Sequence, residues 1–496
     1  MNTSRLGGNF HEVAKRYPAN VALSEANGIQ IRYTELSSRA TTVAAELSAR
    51  GIGRGHSVAI LQKKSIDNVI CILATLHCGA TVVPLDPSLP AERVRFLLRD
   101  LDPEAFICDH VLYPSELPCD TENAAPLPGL ESCGITIFPI NERADQARAY
   151  ILYTSGSTGN PKGVCISHAA AQSFSTWGIK TFSPGEKTQV ASIAPFHFDL
   201  SIFDIYCTLC TGGTLHLFDH ETVRNPRMMS KLLSENKISL MYATPSFYMT
   251  LMQFGTMEKY DWSHVGQVLF AGEIFPVKHL HALMKTWSDA KYYNLYGPTE
   301  TNVCTWYEVR AIDEQRTTPY PIGVPCEGIL HEISEEQELL IGGAHVADGY
   351  HNREELTQEK FFTRNNMRWF CTGDLVKTDE AGQLVYTGRK DRMIKRRGFR
   401  VEPAEVEQAL QRHPDIMESA VIPALDSEGM TLLIAYIVLN GQTQADVGSI
   451  KIFLASILPE YMLPDRIISR EILPKNPNGK TDYTALKQSY VNSFTG

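Results

Sequence analysis

One eleven-residue run constrains this chain more than any other: Tyr153-Thr154-Ser155-Gly156-Ser157-Thr158-Gly159-Asn160-Pro161-Lys162-Gly163, set between the apolar, strand-like residues 149–152 and Val164-Cys165-Ile166. Glycines permit positive φ and close backbone approach, successive N–H groups can form an anion nest, hydroxyls add donors, and Lys162 supplies a point charge. The run reads as a phosphate loop. The bland alternative is a Ser/Gly linker, but a linker would not normally sit directly between two apolar strands. No glycine is followed at the required spacing by Gly-Lys-Ser/Thr, so a Walker loop is absent and kinase or GTPase chemistry built on it is disfavoured.

The remainder of the chain must supply what a phosphate-handling loop needs around it. At 496 residues and 43% hydrophobic it can bury large cores and suggests about three compact units. Its 46 Lys plus Arg against 56 Asp plus Glu leave a formal charge of −10, the wrong sign for counterion-release binding to nucleic acid. The most apolar run, residues 69–85, is interrupted by His77, Gly79 and Pro84 and falls short of a membrane helix. It reads as a buried helix entering a strand. Eleven cysteines without regular spacing make no disulfide framework, and no signal peptide precedes them, which places the chain in a reducing cytoplasm. Cys207 and Cys210 have CxxC spacing but lie in an apolar stretch and read as core.

From residue 32 to about 151, strand-like runs (58–61, 81–85, 105–108) alternate with helical patterns (33–50, 91–100), as βα units do. Residues 113–139 turn to Pro, Ser, Glu and Gly and read as a surface loop. A second α/β stretch runs from 150 to about 304, and residues 308–386 suggest a small β-rich subdomain. After the charged run 388–400, Pro403 suits a first helical position before a helix over 405–412. Strands over 419–424 and 432–439 and a helix over 450–458, closed by Pro459, complete a separate α+β unit.

The loop, together with other segments in order, resembles the adenylate-forming superfamily: acyl-CoA synthetases, luciferases and nonribosomal peptide adenylation domains. Those segments are Arg32-Tyr33-Thr34-Glu35-Leu36, Cys78 through Asp86, Phe198-Asp199-Leu200-Ser201, Asn294-Leu295-Tyr296-Gly297-Pro298-Thr299-Glu300, Thr372-Gly373-Asp374-Leu375, Gly388-Arg389-Lys390-Asp391 and Asn478-Gly479-Lys480. The resemblance implies an α/β fold: a large N-terminal domain, residues 1–390, of two α/β subdomains plus a small β-rich subdomain. A hinge at Asp391 would then lead to a small, mobile α+β C-terminal domain, residues 391–496. It implies ATP and Mg²⁺ as cofactors. Thr154, Ser155, Gly156, Ser157, Thr158, Gly159 and Lys162 would cradle phosphates, and Gly272, Glu273 and Asn294 would line the adenine edge. Asp374 offers acceptors for two ribose hydroxyls, Arg389 would contact the nucleotide, and Tyr296 and Tyr386 would pack on adenine or ribose. Thr299 would touch the α-phosphate, Glu300 would hold Mg²⁺, and Lys480 would bridge the substrate carboxylate and the nucleotide.

Asp199 decides the substrate class. A buried α-ammonium needs an anionic partner, although an Asp at this place also suits a helix N-cap. In amino-acid-activating members this aspartate pairs with the substrate amine. The resemblance carries the side-chain pocket onto Leu200, Phe203, Tyr242, Leu269, Ala271, Leu295, Val303 and Cys304, with no charge left to read a polar side chain. The set is similar to that of free-standing L-prolyl-carrier-protein ligases of pyrrole and anatoxin-type toxin pathways, and implies L-proline. Only 16 residues follow Lys480, so a holo carrier protein acting in trans is the expected acceptor. Arg396, Gly398 and Arg400 would help form its thiol channel, with a solvated basic face as the alternative reading. A coenzyme A ligase of a non-amino acid and a catalytically silent nucleotide-binding homologue are the alternatives. The chain departs from the family's pattern at Cys371, at Arg396 and in a shortened stretch over 327–338.

Overall fold

The computed structural model describes residues 6–109, 125–128, 130–138, 148–156, 160–440, 446–476 and 481–494. Two compact units result. One comprises residues 1–87, 98–153 and 163–390; the other comprises 88–97, 154–162 and 391–496.

Two large sheets build the first unit. In the nine-stranded sheet, Lys291–Tyr296, Gln267–Phe270, Leu240–Ala243, Gln189–Ser192, Thr214–Leu217 and Val21–Glu25 lie side by side and parallel. Antiparallel strands Thr305–Val309 and Gln30–Arg32 flank them. Parallel strands covered on both faces read as continuous apolar runs, and Leu240–Ala243 and Thr214–Leu217 are buried throughout. The strand order reverses between Gln189–Ser192 and Leu240–Ala243, a topological switch point. The eight-stranded sheet is centred on Thr81–Pro84, Ser57–Leu61 and Ala105–Asp109, and the expected buried helix before it is Ile66–Cys78, capped by the Ser65 side chain and ended by Gly79 at φ 89°. A five-stranded sheet over residues 329–389 is the β-rich subdomain.

One expectation fails in this unit. Within the stretch read as a surface loop, Leu130–Ile137 is a strand paired antiparallel with Ala105–Asp109. Leu130, Cys133 and Ile135 are buried there, and Gly134 and the flanking prolines hid a short apolar pattern behind a loop-like composition.

In the second unit, Pro403 does open a helix, Pro403–Gln411. Ile416–Leu425 and Thr431–Leu439 form an antiparallel pair that Arg466–Ser469 extends. Successive residues of Thr431–Leu439 feed two different cores. Leu433, Ala435 and Ile437 pack with Val406 and Leu454, whereas Ile434, Tyr436 and Val438 pack with Leu486 and Tyr490. Among the described residues, no helix is long and apolar enough to cross a membrane.

Candidate active site

The switch point sets the location, because open α/β sheets leave a crevice at the carboxyl ends of strands where the order reverses. Tyr242, Leu269 and Tyr293 are register partners on three adjacent strands, so their side chains share a face, and Leu295 lies two residues further along that face. Ala271 follows the strand end. Val303 and Cys304 lead into Thr305–Val309, and the Cys304 amide donates to the Tyr296 carbonyl at 2.8 Å. All six named pocket residues from Tyr242 to Cys304, with Leu200 and Phe203, belong to one buried cluster.

Phe203 begins a five-residue π-helix, Phe203–Cys207, that continues the short helix Leu200–Ile202. Nothing in the sequence foretold it. Wider turns of this kind often occur where a side chain must be re-aimed, and here the Phe203 ring stands edge-on to Tyr242 at 5.4 Å and to Phe182 at 5.6 Å. Gly178 makes room behind it: a Cβ there would lie 3.0 Å from both Phe203 and Cys207. The two cysteines are free thiols, as core residues would be.

Asp199 stands at the N-cap position but makes no side-chain cap hydrogen bond. Its Oδ2 instead accepts from the Thr299 hydroxyl at 2.8 Å, a partner one hundred residues away. The capping alternative thus fails. Thr299 belongs to the turn that holds Glu300, which is fully buried and whose Oε1 accepts from the Tyr350 hydroxyl at 2.7 Å. A single buried carboxylate beside a hydroxyl fits Mg²⁺, which usually takes one or two protein carboxylates and leaves its other positions to phosphates and water. Among the described residues no group of three or more His, Cys, Asp or Glu side chains could hold a metal unaided.

At the other end of the residues named above, Asp374 is fully buried. Its Oδ1 accepts from Arg389 at 2.6 Å and its Oδ2 from the Tyr296 hydroxyl. Tyr296 is therefore tied by its hydroxyl, and burial together with the neighbouring carboxylate pushes its pKa well up. Each Asp374 oxygen thus accepts one hydrogen bond, where a carboxylate oxygen can accept two. Tyr386 packs against the same core from a partly buried position. Gly272 takes φ 89°, the Glu273 carboxylate accepts from the Ser246 amide at the start of Pro245–Phe254, and the Asn294 amide donates to the Pro321 carbonyl.

The second unit carries the described part of the phosphate loop. There the Ser155 hydroxyl donates to the Arg400 carbonyl at 2.7 Å, the Thr154 hydroxyl is buried, and Lys162 is 5% exposed. Ser157, Thr158, Gly159 and Lys480 lie outside the described residues. Asp391 makes a local turn, accepting from the Met393 amide. Arg396 is no solvated residue: it is buried, donates to the Tyr461 and Leu463 carbonyls and pairs with Asp465 at 2.5 Å.

Three residues near the pocket escaped the sequence reading. The Lys64 ammonium donates to the Ser192 and Ala194 carbonyls at 2.6 and 2.7 Å, just where the strand order reverses, and burial lowers its pKa to about 7. The Tyr150 hydroxyl donates to Asn302 Oδ1 at 3.0 Å. A lysine between a strand and a helix, and an asparagine two residues after a recognised motif, were the only sequence signals.

Residues 10–351 match the AMP-binding enzyme family and residues 405–480 its C-terminal domain. A Pseudomonas fluorescens L-proline–[L-prolyl-carrier protein] ligase is 35% identical, over 96% of this chain and 97% of the relative. A Streptomyces coelicolor protein of the same name is also 35% identical, over 92% and 91%. Among solved structures, the Vibrio cholerae adenylation domain AlmE, in complex with glycyl-adenosine-5'-phosphate, superimposes with a TM-score of 0.83 at 22% identity, over 99% of each chain.

Proposed function

The chain belongs to the AMP-binding enzyme family, and on that premise we propose that it uses ATP to convert L-proline to prolyl-AMP and then transfers the prolyl group to the phosphopantetheine thiol of a separate carrier protein. The observation that carries this reading is the Asp199 carboxylate, which accepts from the Thr299 hydroxyl, together with the mainly apolar cluster that holds Leu200, Phe203 and Tyr242, the last two packed edge to face at 5.4 Å. A carboxylate there suits an α-ammonium, and the compact apolar walls suit a small ring. The names of the two 35%-identical relatives support both the amino acid and the acceptor.

In the first step a proline carboxylate oxygen attacks the α-phosphorus and the bond to the β-phosphate oxygen breaks, releasing pyrophosphate. Two anions must approach, so positioning and charge neutralisation govern the rate. Asp199 fixes the amine, Asp374 and Arg389 fix the ribose, and Lys480 supplies the cation at the reacting oxygens. Bound Mg²⁺, held by Glu300, would neutralise phosphate charge and the leaving group. In the second step the thiol, losing its proton, attacks the acyl carbon and AMP leaves with the bonding electrons. The segment after Asp391 would rotate between the steps.

ATP–pyrophosphate exchange measured across the amino acids should peak with L-proline. One methylene is worth only ~1–3 kcal/mol in an apolar pocket, so alanine, valine or pipecolate should be poorer but measurable. A maximum with a charged or large aromatic amino acid would refute the pocket assignment. Lys480→Ala should remove the exchange. Incubation with ATP, proline and either holo carrier proteins or coenzyme A should load a carrier, and exclusive loading of coenzyme A would overturn the choice of acceptor.

A further inference from the structure

Asn302 combines three features that purely structural asparagines seldom share. Its backbone sits at φ 49°, ψ −154°, close to a region essentially confined to glycine. It is 3% exposed. Its amide oxygen is committed to the Tyr150 hydroxyl at 3.0 Å, which leaves the Nδ2 group as a buried donor without a hydrogen-bond partner. Strained backbone persists when the surroundings over-determine it, and a buried donor needs an acceptor, which water or a ligand can supply.

Its place in the chain narrows that acceptor. Asn302 closes the turn that starts at Gly297, so tightly that a Cβ on Gly297 would lie 1.6 Å from the Asn302 carbonyl oxygen. Three residues earlier, Thr299 grips Asp199; immediately after come Val303 and Cys304 of the pocket wall. In any α-amino acid the carboxyl carbon lies about 2.5 Å from the amine nitrogen. An ammonium seated at Asp199 therefore brings its carboxylate into the neighbourhood of this turn.

We propose that Asn302 Nδ2 is a substrate-contacting donor that hydrogen-bonds a carboxylate oxygen of the bound amino acid. The strained turn holds the donor in place before substrate binds, and Tyr150 fixes the orientation of the amide. This proposal rests on the amino-acid-activating function above and adds a neutral donor at the carboxylate end.

The test compares wild type with Asn302→Asp, which keeps the shape and the acceptor for Tyr150 but replaces the donor with an oxygen, and Asn302→Gly, which suits the backbone and removes the donor. Proline-dependent exchange gives KM for proline and for ATP, and pyrrolidine, an amine of the same ring without the carboxylate, gives an inhibition constant. Both variants should raise KM for proline by roughly 10- to 100-fold, as loss of a hydrogen bond to a charged group does, while the pyrrolidine constant and KM for ATP change less than about twofold. Equal weakening of proline and pyrrolidine would assign Asn302 a merely structural role and overturn the proposal. So would an unchanged KM for proline, or a rise confined to ATP. Should one variant fail to fold, judged by circular dichroism, the other carries the comparison. Absence of proline-dependent exchange in the wild type would sink the functional reading itself and this inference with it, an outcome distinct from the others.

Discussion

Two aspartates in the same unit carry opposite designs. Asp374 is fully buried and already holds Arg389 and Tyr296, one on each oxygen. Asp199 is half-buried and is directed by the hydroxyl of Thr299. A guanidinium cancels a carboxylate's charge, so Asp374 acts as a rigid, neutralised acceptor suited to uncharged hydroxyls. The Thr299 hydroxyl is neutral and does not itself cancel the charge of Asp199, which on the proposed function would meet the substrate ammonium. On the proposed function, the difference would let one residue type serve a ribose in one place and a cation in another.

Removing the charge at the second place should have the larger kinetic effect. Asp199→Ala should cut proline-dependent kcat/KM by on the order of 10²- to 10⁴-fold, because a buried ammonium then loses its partner at a cost of about 3–5 kcal/mol. KM for ATP should stay near wild type; exchange retained at more than a tenth of normal would break the contrast between the two aspartates. Asp374→Ala should behave in the reverse manner. It should raise KM for ATP about tenfold or more, leave amino-acid selectivity unchanged, and lower the melting temperature, since Arg389, 7% exposed, would be left buried without its carboxylate. Selectivity that shifts with Asp374→Ala would mean that the two ends are not separable.

How far the sequence discloses this contrast depends on the kind of interaction. Motif residues on turns between strands were legible, because a phosphate loop or a Tyr-Gly-Pro-Thr-Glu turn needs particular side chains at consecutive positions. The parallel strands were legible from apolar runs bounded by turn residues. What escaped were pairings across long stretches of chain, such as Thr299 with Asp199 and Tyr150 with Asn302, separated by 100 and 152 residues. No local pattern encodes them. The strand Leu130–Ile137 was hidden because Pro and Gly in its surroundings outweighed a short alternation, and the turn type of Phe203–Cys207 depends on tertiary packing against Phe182 and Tyr242. Arg396 stood open between a thiol channel and a solvated face, because charge in a basic run is ordinarily solvated, whereas here the guanidinium has two carbonyls and Asp465 to satisfy it.

A smaller effect sharpens the comparison further. Thr299→Val keeps the shape of the side chain and removes only the donor to Asp199. A hydrogen bond to a charged group is worth about 1.5–3 kcal/mol, so proline-dependent kcat/KM should fall by roughly 10- to 100-fold, less than for Asp199→Ala. The double variant should add little to Asp199→Ala alone, since the two residues act through one bond. An additive loss would show that Thr299 acts chiefly elsewhere, for example on the α-phosphate.

Acidification should touch both ends alike, through stability, and its sign follows from burial. His345 is fully buried behind the pocket wall, its Nδ1 at 2.9 Å from the Val303 carbonyl, and desolvation lowers its pKa to about 4. His216 bonds Gln189 and is lowered to about 4 for the same reason. Both must be neutral in the folded protein, whereas in the unfolded chain they take up protons near pH 6.5. Their contribution to stability is therefore complete above pH 6.5 and is lost as pH falls from there through about 4, amounting to about 1 kcal/mol each at pH 5.5. Melting temperatures measured from pH 7.5 to 5 should decline accordingly, and a conservative His345→Gln change should flatten part of the slope. With pKa values near 4 both histidines stay neutral in the folded protein at pH 5.5, so KM for proline and KM for ATP should change little there, and lost activity should appear as a smaller maximal rate from a smaller folded fraction. A rise in KM for proline alone at pH 5.5 would instead place a titrating group at the amino-acid end.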